Sequence, residues 1–278
     1  MTWRFTKMHG LGNDFVVLDA VRQTIDLQPA QARWLADRHF GVGCDQILLV
    51  ERARNPAADF RYRIFNADGS EVSQCGNGAR CFARFVAQEG LTDRREITVE
   101  TASGLLHLHL EGEHDVRVNM GVPHLDPHQI PLHAAAPSLR YRVGPEGRWE
   151  IGAVSMGNPH AVLAVASVDA APVAEIGPAI QALPDFPAGV NVGFMEAVAP
   201  DRIRLRVYER GSGETLACGS GACAAVVIGR LWGALAESVD VDLPGGRLHV
   251  DWAGEGNPVW MTGPAVRVFD GQLSRLPD

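Results

Sequence analysis

Residues 73–81 read SQCGNGARC, and residues 216–223 read LACGSGAC. Each stretch sets a cysteine, Cys75 or Cys218, directly before small residues that run into an apolar segment. The second of these, GSGACAAVVIGRLWGAL, is apolar nearly all round, which predicts a helix buried inside a sheet rather than lying on one. The first, NGARCFARFVAQEG, predicts a helix that stops at Gly90. The sequence around both also repeats. GLGNDFVVLD resembles SMGNPHAVLAV, which matches Asn13 with Asn158. CDQILLVE resembles GVNVGFME, which matches Gln46 with Asn191. NADGSEVSQCGNGA resembles ERGSGETLACGSGA, which matches Asn66 with Glu209, Glu71 with Glu214 and Cys75 with Cys218. Three collinear matches at a nearly constant spacing indicate a duplicated domain.

Strand signals fill the space between the helices. DFRYRIF, GLLHLHL and RIRLRVY alternate apolar with polar residues, and each reads as a half-buried antiparallel strand. PAQARWLADRH opens with Pro29 in a good first-turn position for a further helix. The stretch VPHLDPHQIPLHAAAP carries Pro123, Pro127, Pro131 and Pro137 and reads as a passage between domains rather than a regular element. The expected fold is α+β, with strand-rich halves that each hold one central helix. The halves span 1–119 and 120–263, with the segment 264–278 expected to pack back on the first.

Composition narrows the function. The chain has 278 residues, 46% of them hydrophobic, so a sizeable core is expected. A formal charge of −8, with no basic block interleaved with aromatics, speaks against nucleic-acid binding. The start, MTWRFTKMHGLGND, has no apolar core of a signal peptide, and the most apolar stretch is broken by Arg230 and too short to span a membrane. A cytoplasmic protein is expected, and the five cysteines are expected to be thiols rather than a disulfide framework.

A helix N-terminus exposes unpaired N–H groups and carries partial positive charge, so a cysteine there is expected to have a lowered pKa. The same N–H groups form a cradle for a carboxylate or phosphate. Several chemistries fit such cysteines. Simple packing suits Cys44, Cys81 and Cys223. A structural zinc site suits neither pair, because Cys75 and Cys81 are six residues apart and point about 120° away from each other on a helix. A redox dithiol is normally a local pair spaced by two residues, which is absent. Acid–base chemistry by two thiols uses both cysteines, both glycine runs and the duplication. One thiolate removes a proton from a substrate carbon, and the other thiol returns one to the opposite face. The cradles would hold the substrate carboxylate. Lys7 is the only lysine, so a pyridoxal Schiff base is not expected, and no cofactor or metal fingerprint replaces it. Asn13, Asn66, Asn158 and Asn191 are donor–acceptors able to meet ammonium and carboxylate groups together, and Arg210 can grip a carboxylate with two bonds.

These motifs, with MHGLGNDF, GVGCDQ, MGNPH, GVNVGF, YERGSGETLACGSGACA and VWMTGPA in order from about residue 7 to residue 265, resemble the diaminopimelate epimerase family. The resemblance implies a pyridoxal-independent isomerase. It would interconvert LL- and meso-diaminopimelate in lysine and peptidoglycan-precursor biosynthesis. The resemblance also implies two pseudo-symmetric domains, each a β-barrel-like mixed sheet around a central helix, and a cytoplasmic homodimer. It makes Cys75 and Cys218 the base and acid, with His160 and Glu209 assisting proton movement. Gly76, Asn77, Gly219 and Ser220 would bind the α-carboxylate. Asn13, Gln46, Asn66, Asn158, Asn191 and Arg210 would contact the rest of the amino-acid substrate. The nearest other enzyme is the proline or hydroxyproline racemase type, whose substrate lacks the distal zwitterion; a redox-sensing dithiol protein is the reading from a different class.

Overall fold

The structure, a computed structural model, describes residues 2–72 and 76–274. Cys75 lies outside the described residues, so its expected place at a helix start receives no structural account. The chain forms two compact units, Met1–Val118 with Gly263–Asp278, and Asn119–Thr262.

The first unit begins with strands β1 (Trp3–Gly10) and β2 (Asn13–Asp19) and helix α1 (Pro29–Ala36). Strands β3 (Gln46–Arg52), β4 (Phe60–Asn66) and β5 (Glu71–Val72) precede helix α2 (Gly76–Gln88). Strands β6 (Glu96–Thr101), β7 (Gly104–Glu111) and β8 (Asp115–Asn119) follow it. The second unit opens with β9 (Tyr141–Val143), β10 (Trp149–Ser155), β11 (Pro159–Ala164) and helix α3 (Val173–Gln181). Next come β12 (Asn191–Ala199), β13 (Arg202–Glu209), β14 (Gly213–Thr215) and helix α4 (Gly219–Leu231). The remaining strands there are β15 (Ser238–Leu243), β16 (Gly246–Trp252) and β17 (Val259–Pro264). Strand β18 (Val266–Leu273) then returns to the first unit and pairs antiparallel with β1. Residues 120–140 hold no helix or named strand, as the prolines there require.

Each unit is a mixed sheet wrapped around its 13-residue helix. Helix α2 touches β1, β2, β3, β7 and β18, and α4 touches β10, β11, β12, β13 and β16. The pairing repeats between units. Strand β2 runs parallel to β3 with Phe15 opposite Gln46, as β11 runs parallel to β12 with His160 opposite Asn191. Strand β4 is antiparallel to β3 and β5 and parallel to β6, and β13 is antiparallel to β12 and β14 and parallel to β15. That corrects the fully antiparallel expectation for both. Side-chain alternation reports which faces are buried, and it is blind to the direction of the partner strand.

The apolar runs of β2 and β3 are buried on both faces. Val16, Leu18, Ile47 and Leu49 join a cluster with Ala32, Leu35 and Ala36 of α1. Phe15 and Leu48 instead meet α2 at Gly78. Helix α1 thus covers the outer face of the sheet, and α3 plays the same part in the second unit through Val173 and Ile180. Helix α3 was not expected from the sequence; Gly177 and Pro178 lie inside it and hide its signal.

Both central helices end alike. Gly90 (φ 62°) and Gly233 (φ 75°) take the left-handed conformation. Leu91 N–H donates to Val86 O at 2.9 Å, and Ala234 N–H donates to Gly229 O at 3.0 Å. The short strands leading to the two cysteine positions are pinned alike too. Arg63 grips Glu71 with two bonds of 2.7 Å, and Arg206 grips Glu214 with bonds of 2.6 and 3.0 Å.

Candidate active site

In the second unit the expected residues lie at the ends of β11, β12 and β13 and at the start of α4. Cys218 is the N-cap of α4 with an extended backbone (φ −121°, ψ 106°). The first bond of the helix runs from Ala222 N–H to Cys218 O at 2.9 Å, so the amides of Gly219 and Ser220 precede the helical ladder. Gly221 sits at a close approach. A Cβ there would lie 3.2 Å from Cys218 Sγ and 3.0 Å from Val207 Cγ2.

The Cys218 thiol is 3% exposed and lies 3.7 Å from Ser220 Oγ. Its pKa is pushed well up, first by burial and then by the charge of Glu209. The Gly221 amide and Ser220 act the other way and are outweighed. This corrects the lowered pKa expected at a helix N-terminus. Partial charge at a helix end is worth less than full desolvation beside a carboxylate. At neutral pH Cys218 therefore holds its proton.

Glu209 ends β13 and accepts a 2.5 Å bond from Thr215 Oγ1. Sequence reasoning missed Thr215; its only signal was its place in β14, beside the matched Glu214. Asn158 joins two other expected residues. Its amide donates to Ser220 Oγ at 3.3 Å, and its Oδ1 is hydrogen-bonded with His160 Nε2 at 3.1 Å. His160 is 1% exposed, and its pKa is lowered to about 3 by burial, with the Arg210 charge adding to the effect. It is a neutral imidazole, held through Nε2 by Asn158. Asn191 is also buried. It donates to Pro159 O at 3.1 Å and accepts from Arg210 N–H at 2.8 Å, so it fixes the backbone where Arg210 leaves the sheet. The Arg210 guanidinium donates to Ala188 O at 2.6 Å.

In the first unit, Asn13, Gln46, Asn66, Gly76 and Asn77 occupy the corresponding strand ends and helix start. Gln46 Nε2 donates to Asn66 Oδ1 at 2.9 Å, and Asn66 Nδ2 to Ser70 Oγ at 3.2 Å. Asn77 Nδ2, in the first turn of α2, donates to Asn13 Oδ1 at 3.2 Å. Asn13 in turn donates to Asp45 at 3.0 Å. Asp45 and Asp14 share Arg38, and Lys7 binds Asp14 and the Gly43 carbonyl. Burial works against the Asp14 charge, but the bonds from Arg38 and Lys7 outweigh it and hold its pKa well below the carboxylate range. The single lysine is thus engaged in an ion pair. Cys44, Cys81 and Cys223 are buried, as expected of packing residues, and burial pushes the Cys44 pKa up to about 12.

Comparison with known proteins follows the same lines. A phenazine biosynthesis protein of the PhzF family from Bacillus anthracis superposes with a TM-score of 0.71 at 18% identity, covering 98% of this chain and 99% of that one. A hydroxyproline epimerase from Agrobacterium vitis superposes with a TM-score of 0.67 at 18% identity, covering 98% and 92%. These likenesses define the class by its fold, the two-unit α+β architecture of PhzF-like proteins and amino-acid racemases and epimerases. The family is shown by sequence. The family model for diaminopimelate epimerase matches residues 5–125 and 152–268, and the chain belongs to that family. The diaminopimelate epimerase of Thioalkalivibrio sulfidiphilus is 63% identical over 276 residues, covering 98% of this chain and 99% of the relative. That of Pseudomonas fluorescens is 57% identical over 274 residues, covering 98% and 99%. The family is one of isomerases. Among the described residues no helix is long and apolar enough to cross a membrane.

Proposed function

We propose that this protein interconverts LL- and meso-diaminopimelate by moving a proton at one α-carbon, with Cys75 and Cys218 as the two proton carriers and no cofactor. The observation that carries the reading is the geometry of Cys218, buried as the N-cap of α4 with Ser220 Oγ 3.7 Å from its sulfur. A thiol at that position, in its protonated form, can serve as the acid. As Cys75 takes the α-proton, Cys218 gives one to the opposite face and is left as the thiolate; in reverse that thiolate takes the proton back from the α-carbon and Cys75 supplies the other. The amides of Gly219 and Ser220 supply donors for the substrate carboxylate, on which charge builds as the α-proton leaves. His160 is neutral, so its part is to hold or pass a proton rather than to supply fixed positive charge. Gly76 and Asn77 open α2 in the repeat-related position, and Asn13, Gln46, Asn66, Asn158, Asn191 and Arg210 are proposed to contact the amino-acid substrate. The domain reading, two catalytic halves spanning 1–119 with 264–278 and 120–263, belongs to the same proposal. So does a cytoplasmic homodimer acting in lysine and peptidoglycan-precursor synthesis.

The test is incubation with LL-diaminopimelate in deuterated water under reducing conditions. The expected result is deuterium at one α-carbon and formation of the meso isomer. Cys218→Ala and Cys75→Ala should each abolish turnover and keep the fold. No exchange by the reduced wild-type protein overturns the function, and near-normal turnover by either alanine variant overturns the two-thiol chemistry.

A further inference from the structure

We propose that Thr215 is a positioning residue: its hydroxyl holds the Glu209 carboxylate on the face of the β13–β14 hairpin that looks onto Cys218 and the first turn of α4. The kinetic part of the test rests on the epimerase reading; the structural part does not.

The geometry comes from strand register. Val207 faces Thr215 and Glu209 faces Gly213 across the β13–β14 pair. Thr215, Val207 and Glu209 therefore share one face of the hairpin. That face looks onto the first turn of α4, because Val207 and Cys218 Sγ are the groups that a Cβ on Gly221 would meet. On this face the Thr215 hydroxyl donates to Glu209 Oε1 at 2.5 Å. The opposite face pins the hairpin independently. Arg206 grips Glu214 with two bonds and donates to Val168 O at 2.7 Å and Ala171 O at 3.3 Å. Thr215 is thus carried on a strand that is itself fixed, next to the residue that fixes it.

The duplication supplies an internal control. At the repeat spacing Thr215 matches Val72, and Glu209 matches Asn66. Val72 faces Ile64 as Thr215 faces Val207. A hydroxyl donor therefore appears at this position only in the half that carries a carboxylate. In the other half the amide of Asn66 is held by Gln46 and Ser70 instead. Valine in this register is also compatible with the fold, which makes Thr215→Val a fair test.

Two elements bring polar groups to the Cys218 thiol. Glu209 comes from β13, and Ser220 with the Gly221 amide comes from α4. His160 of β11 reaches Ser220 through Asn158. Glu209 is the group whose charge favours the protonated thiol. A carboxylate released from Thr215 turns away from the thiol, and Cys218 then loses its proton at lower pH.

Thr215→Val is expected to lower kcat on diaminopimelate about 10- to 100-fold with KM little changed, since it removes one hydrogen bond to a charged group. Thr215→Ser, which keeps the hydroxyl, should recover most of the rate. In a Glu209→Gln background, Thr215→Val should add about 2-fold or less, because the two residues act as one unit. The substrate-free measurement is ultraviolet titration of the thiolate, with a Cys218→Ala protein subtracted. It should show Cys218 ionising at lower pH in Thr215→Val and not in Thr215→Ser. Unchanged activity and titration in Thr215→Val, or equal proportional losses with and without Glu209, overturn the proposal. If the wild type exchanges no α-proton, the epimerase reading falls, and the titration alone decides the role of Thr215.

Discussion

His160 shows how a single side chain couples the site to stability. Its imidazole is buried and neutral, with its pKa lowered to about 3. In the unfolded chain it titrates near about 6.5. Between those values the unfolded state binds the proton and the folded state does not. The stability tied to the neutral ring is therefore complete above about pH 6.5 and is lost as pH falls, by up to about 1.4 kcal/mol per pH unit. At about pH 5 the loss from this one residue is about 2 kcal/mol. His160→Gln has no proton to bind, so the variant should lose less stability than the wild type between neutral pH and about pH 5. Denaturant unfolding of both proteins at both pH values measures the difference. Parallel losses would mean that the ring is protonated in the folded protein. Cys218 illustrates the same competition with the opposite sign, since burial beside Glu209 raises its pKa despite its place at a helix start.

Among the elements, α4 places the proposed proton carrier Cys218, and Gly221 packs closely against it. Replacing Gly221 with alanine favours the helix by up to about 1 kcal/mol. It also puts a methyl 3.2 Å from Cys218 Sγ and 3.0 Å from Val207, so the sulfur or the strand must shift by a few tenths of an ångström. The two effects fall on different observables. Tm should change little, while kcat/KM should drop about 10-fold or more because the proton carrier is displaced. Thermal melting and steady-state kinetics check this, and full activity would show that Cys218 has slack. The same helix was legible in the sequence because it is apolar on every side, and its counterpart α2 because Gly90 stops it. Strands β4, β7 and β13 were legible from strict alternation. The parallel partners of β4 and β13 were not, since they lie more than thirty residues onward and leave no local mark. Helix α3 was not, because Gly177 and Pro178 speak against a helix that tertiary packing nevertheless holds. Cys218, His160, Glu209 and Asn158 were named from the repeat and the family motifs. The raised Cys218 pKa and the part of Thr215 depend on burial and register, which a motif does not encode.

At the scale of the whole molecule, the duplication preserves the frame and lets the chemistry diverge. The β2–β3 and β11–β12 registers, the Arg–Glu clamps and the helix ends recur in both units. Gln46, Asn66 and Val72 in one unit nevertheless stand where Asn191, Glu209 and Thr215 stand in the other. The edges of the two sheets diverge as well. Strand β9 pairs with β10 and buries Tyr141 and Val143 in the core beneath α3. Strand β18 pairs with β1 but leaves Val266, Val268 and Phe269 at 39%, 54% and 48% exposed. An exposed apolar edge strand invites pairing with another chain, and two copies of one edge can meet about a two-fold axis. The proposed homodimer is therefore expected to form through β18. Under such symmetry a single substitution acts twice. Val268→Lys would set like charges near each other across the interface and should yield a monomer whose unit folds normally. Sedimentation of wild type and variant over a range of concentrations is the measurement. A wild-type protein that stays monomeric removes the dimer, and a variant that associates as tightly as the wild type moves the interface away from β18.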